Sequence, residues 1–130
     1  MIAWTGNRRG RIARALAKGP ACVAIARDVF PIAKAESSDA RGGRVVILDD
    51  DAARLVLPLN AAGRQRCGLD SDEVWYFHVN VGLLKHIVDR LTGEDGVEVV
   101  SYLSKYFDCS EVLRLDECDL SAEEFDAVPR

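Results

Sequence analysis

Apolar and polar residues alternate along this chain in short blocks whose period changes from block to block. Residues 11–18 follow helical spacing, with Ile12, Ala15 and Leu16 on one face, Arg11, Arg14 and Lys18 on the other, and Gly19-Pro20 as the stop. Ala21–Ala26 is short, apolar and partly β-branched, which predicts a buried strand over 21–27. Phe30-Pro31 and the stretch 36–43 carry turn chemistry and predict an irregular connection. Two apolar runs, 44–49 and 54–59, flank the polar Asp49-Asp50-Asp51 and predict a β-hairpin. Pro58 places the second of these strands at a sheet edge, since proline cannot donate to a ladder.

The second half continues in the same manner. Residues 60–71 read as a polar loop. Residues 73–79 alternate strictly, with Trp75, Phe77 and Val79 on one face and Val74, Tyr76 and His78 on the other, so a third strand is expected there. Asn80 suits an N-cap for a helix over 81–91, with Leu84, Ile87, Val88 and Leu91 as its apolar stripe and Lys85, Asp89 and Arg90 as its wet face. The pattern also predicts a helix over 97–107, a strand over 111–115 and a short closing helix over 122–127 from the capping-box spacing of Ser121 and Glu124. Hairpin signals outnumber β-α-β signals. The expected fold is therefore α+β: one domain over 1–130, a mainly antiparallel sheet of four to five strands, and helices packed on it. Trp75, Phe77, Leu84, Val88 and Leu91 are the expected core.

Composition leaves that picture in place. The chain has 130 residues and 48% apolar side chains, enough for one core. No signal-peptide order and no apolar run near the ~20 residues that span a bilayer is present, so a cytoplasmic protein is expected. Arg outnumbers Lys 13 to 4, a coding bias typical of GC-rich bacteria. Cys22, Cys67, Cys109 and Cys118 are scattered without a C-x-x-C pair, which predicts free thiols.

Charge changes the picture more, because it is sorted by position. Residues 1–66 hold 12 bases against 6 acids, whereas 67–130 hold 5 against 15, so the net charge of −4 conceals a dipole. Arg8, Arg9, Arg11 and Arg14 form a basic start, and 108–126 an acidic stretch. The basic start is expected to complement that stretch within the fold or to touch a phosphate.

Candidate chemistry is sparse. The three aspartates at 49–51 lack cation-site spacing, and neither a metal nor a cofactor is expected. His78 and His86 are the two histidines; His86 with Asp89 forms an i, i+3 pair, and Cys67 could approach His78 as a thiol–imidazole couple. The pattern nevertheless assigns no catalytic residue. Its favoured reading is a binding protein of the immunity-protein or antitoxin type. A basic toxin or nuclease domain would meet Glu111, Asp116, Glu117, Asp119, Glu123 and Glu124, with Leu120 and Phe125 as apolar anchors. The alternatives are a small enzyme or ligand-binding domain using His78, Cys67 or the Arg-rich start, and a nucleic-acid-associated module.

Overall fold

Strand alternation and helical periodicity each find a place in the fold, though not always where the sequence pattern puts them. The computed structural model describes residues 1–18, 21–47, 78–107, 110 and 113–125. Five strands, β1 (Arg41–Ile47), β2 (His78–Leu83), β3 (His86–Val88), β4 (Val97–Glu98) and β5 (Leu113–Cys118), form one sheet in the order β4-β3-β2-β1-β5. Every neighbouring pair runs antiparallel. The helices are α1 (Arg8–Leu16), α2 (Cys22–Glu36) and α3 (Val99–Tyr106), and a 3₁₀ turn covers Glu123–Phe125. This is the expected α+β class with its antiparallel sheet.

Two apolar layers enclose the sheet. Val79, Val81 and Leu83 of β2 and Val88 of β3 pack with Ile12 and Leu16 of α1 and Ile25, Val29 and Ala33 of α2. Val45, Ile87, Tyr102, Phe107 and Leu113 form the second cluster, under α3. Burying a Val or Leu side chain stabilises by about 1.5–3 kcal/mol each, so these layers fix the positions of the polar groups between them.

Two elements depart from the sequence reading. Residues 22–36 are helical rather than a strand followed by an irregular connection. Cys22, Ile25, Ala26, Val29, Ile32 and Ala33 are buried at helical spacing, and Pro31 lies inside the helix at an exposed position. The β-branched residues of 23–25 gave the short window its strand character, but the period over fifteen residues decides. Residues 81–91 are a hairpin rather than a helix, and Asn80 lies within β2 instead of capping one. Its turn is Leu84-Lys85, both at positive φ (52° and 62°), the geometry that matches strand twist in a two-residue loop. Asp39 holds the turn by accepting the Leu84 N–H at 3.0 Å.

The remaining elements differ only at their ends. The helix expected over 97–107 is α3, preceded by two residues of β4; the strand of 111–115 is shifted to 113–118; the closing helix is a single 3₁₀ turn. Val88 and Leu91 are buried as expected, whereas Leu84 is 46% exposed at the hairpin tip. The strand over 54–59, the Asp49–Asp51 turn, the loop 60–71 with Cys67, and Trp75 and Phe77 lie outside the described residues.

Candidate active site

Cys22 opens α2, His78 opens β2, and Asp89 directly follows β3. Helix packing against the sheet and the tight β2–β3 turn bring these three distant residues into one buried cluster. Cys22 is 6% exposed, His78 1% and Asp89 4%. His78 Nε2 meets Asp89 Oδ2 at 2.8 Å, and the Cys22 thiol lies near enough to the same ring to favour its protonated form. With Nε2 engaged by the carboxylate, Nδ1 is the ring nitrogen left for proton exchange with sulfur.

Asp89 is held as firmly as it holds the ring. Its Oδ1 accepts the backbone N–H groups of Leu91 and Thr92, each at 2.9 Å. Its Oδ2 accepts the Tyr102 hydroxyl as well as the imidazole. Tyr102 in turn accepts Asn80 Nδ2 at 3.1 Å. The Phe107 ring packs against both, tilted to His78 at 5.9 Å and edge-to-face with Tyr102 at 5.5 Å between centroids.

The electrostatics follow from these contacts. Burial alone would strip His78 of its proton, but the Asp89 hydrogen bond and the Cys22 contact outweigh it and push the ring up from 6.5 to about 9. Asp89 goes the other way: burial opposes its charge, yet the His78 and Tyr102 bonds hold the carboxyl below its usual range. Burial and the neighbouring carboxylate raise the Tyr102 hydroxyl well above 10. At neutral pH the cluster is an imidazolium gripped by a carboxylate, with the Cys22 sulfur nearby.

Ala21 makes no side-chain cap to α2, and Cys22 is the first residue of that helix. Among the described residues no group of three His, Cys, Asp or Glu side chains fits a metal ion.

The sequence pattern placed several of these groups elsewhere. Cys22 was expected within a strand, Asp89 on a helix face beside His86, and Tyr102 stood out not at all. His86 lies on β3, where its Nδ1 donates to the Leu84 carbonyl at 2.7 Å and its Nε2 faces the Met1 amino group at 3.2 Å. Its pairing with Asp89 is therefore corrected: Asp89 pairs with His78. The available signal was the period-two run His78-Val-Asn-Val-Gly-Leu83, which extends the strand expected to end at Val79.

The acidic segment divides between surface and core. Glu117 and Glu123 are exposed, and Asp116 pairs with Arg114 at 2.9 Å. Asp119 accepts Ser121 Oγ at 2.7 Å and Ser121 N at 3.0 Å, which lowers its carboxyl. Leu120 (7% exposed) and Phe125 (4%) pack in the core. Glu124 falls in the 3₁₀ turn, and Glu111 lies outside the described residues. The basic start finds other acids than those of 108–126: Arg8 meets Glu36 at 3.3 Å, and Arg9 meets Asp95. Cys22 and Cys118 are free thiols, and no helix among the described residues is long and apolar enough to cross a membrane.

No protein-family model, curated protein or solved structure matches this chain.

Proposed function

We propose that this protein is a cysteine-dependent acyl-transfer enzyme acting on an amide, ester or thioester carbonyl. Cys22 is the nucleophile, His78 the general acid and base, and Asp89 the residue that orients and charges the imidazole. One observation carries this reading: the His78 ring, bonded to the Asp89 carboxylate, shares a buried cluster with a cysteine at a helix N-terminus. A helix N-terminus and an adjacent imidazolium both favour thiolate over thiol, and a nucleophile, a base and a base-orienting group are the three parts such chemistry needs.

The step balances as follows. The Cys22 thiolate adds to the carbonyl carbon, and the oxygen takes up negative charge at the positive end of the α2 dipole. The bond to the leaving group breaks as His78 delivers its proton to that group, leaving a thioester on Cys22. Neutral His78 then takes a proton from water or an acceptor nucleophile. That nucleophile attacks the thioester, and the thiolate departs beside the restored imidazolium. Tyr102 positions Asp89 and touches no reacting atom.

Exposure to p-nitrophenyl acetate tests this. A stoichiometric burst of nitrophenolate is expected, with one acetyl group located on Cys22 by peptide mass spectrometry. Cys22→Ser should abolish the burst and His78→Gln should reduce it by at least ~100-fold, the usual contribution of a general base. Acetylation of Cys118 at an equal rate would overturn the proposal.

The exposed Glu117 and Glu123 favour a second reading, in which the acidic surface binds a basic protein partner such as a toxin or nuclease domain. An immunity-protein or antitoxin role would rest on that surface and leave Cys22 unused.

A further inference from the structure

A second feature lies on the sheet beside the proposed active site. Gly43, Asn80 and Glu117 stand side by side across β2, β1 and β5, since Gly43 pairs with Asn80 on one side and with Glu117 on the other. The next rung pairs Arg41 with Gly82. These residues line a hollow of about 130 Å³. Its floor is shaped by absent side chains, for a Cβ at Gly43 would collide with Asn80 Oδ1.

Asn80 is 1% exposed, yet its Oδ1 makes no hydrogen bond among the described residues. The amide's orientation is fixed by donor logic. The one Tyr102 hydroxyl hydrogen goes to Asp89, so the tyrosine oxygen must accept, and Nδ2 is the Asn80 atom that faces it. Oδ1 is thereby left as an acceptor in the hollow, and a buried acceptor without a donor costs about 1–3 kcal/mol. Glu117 adds a carboxylate that makes no ion pair among the described residues. Of the neighbouring charges, Asp116 is occupied by Arg114, and Arg41 leans on the Asp39 carbonyl at 3.3 Å.

The geometry points to a binding site for a cationic N–H donor, a guanidinium or primary ammonium group, that donates to Asn80 Oδ1 and is neutralised by Glu117. A buried neutral carbonyl and an exposed carboxylate are complementary to a group that carries both hydrogens and positive charge, while the Arg41 guanidinium that also lines the hollow donates to the Asp39 carbonyl. A basic side chain of a peptide or a small polyamine-like molecule carries such a group. This inference stands apart from the proposed acyl transfer, because the binding needs neither Cys22 nor His78.

The test is an NMR titration of the labelled protein with n-propylguanidinium, n-butylammonium and neutral n-propylurea, following the Asn80 side-chain amide. Saturable shifts of that resonance are expected with the two cations, and several-fold weaker ones with the urea. Glu117→Gln should weaken cation binding about fivefold, the effect of one partly exposed charge, and leave urea binding unchanged. Gly43→Ala risks unfolding, so Gly82→Ala is the structural control; its added Cβ would meet Arg41 and Ile87 at an ordinary 3.4 Å while narrowing the hollow. It should fold normally and weaken binding of both cations. An Asn80 resonance unmoved by all three probes would overturn the proposal, as would equal binding of the urea and the cations.

Discussion

At the scale of single residues, His78 and Asp89 depend on one another. Removing either strands a buried charge, so Asp89→Asn should cost about 3–5 kcal/mol of unfolding free energy, measured by urea titration. The pH dependence has a definite sign. The folded-state value of His78 lies above its ordinary 6.5, so its contribution to stability is full below about 6.5 and is lost as pH rises through about 9. Asp89 is lowered, so its contribution is present above the ordinary carboxyl value of 3.8 and is lost as acid protonates it. Urea titrations across both windows should show a fall at each end, and Asp89→Asn should flatten the alkaline one. In the sequence His78 was recognisable as a candidate base because histidines are few. Cys22 and Asp89 were not, because each has an ordinary reading, a buried thiol and a wet helix face, until the fold joins them.

Among the elements, the β2–β3 hairpin explains best what sequence could and could not yield. Its strand character was present in the alternation of 78–83, but Leu84-Lys85 carries none of the Asn-Gly chemistry that announces a two-residue turn. Leu84, Ile87, Val88 and Leu91 happen also to fit a helical stripe, and that period won over the shorter one. The turn accordingly pays strain at two non-glycine residues with positive φ. Replacing Leu84 by Asn together with Lys85 by Gly should raise stability by roughly 1 kcal/mol, visible as a higher Tm, with the Asp39 contact to the backbone kept. α2 teaches the converse. Its burial period was visible in the sequence, but the β-branched start and the turn chemistry of Phe30-Pro31 made the expected element a strand ending at residue 27.

At the scale of the whole molecule, the basic start meets acids outside the acidic stretch among the described residues. Arg8 and Arg9 spend their charge on Glu36, Glu94 and Asp95, and the exposed Glu117 and Glu123 remain open to solvent. Neutralising Glu117, Asp119, Glu123 and Glu124 to their amides should therefore leave the urea unfolding midpoint nearly unchanged, since exposed charges contribute little to the fold. If a basic partner is captured, its association rate should fall with salt and with these four changes. The proposed active site is likewise a property of the complete fold, since its three residues lie in separate parts of the chain. Iodoacetamide labelling of the native protein across pH, read at each cysteine by peptide mass spectrometry, tests it most directly. Cys22 should label fast at pH values where an ordinary thiol is still protonated, lose that advantage as His78 deprotonates near 9, and react like Cys118 in the His78→Gln variant. A Cys22 that stays unlabelled in the folded protein, or follows the same pH curve as Cys118, would contradict the account.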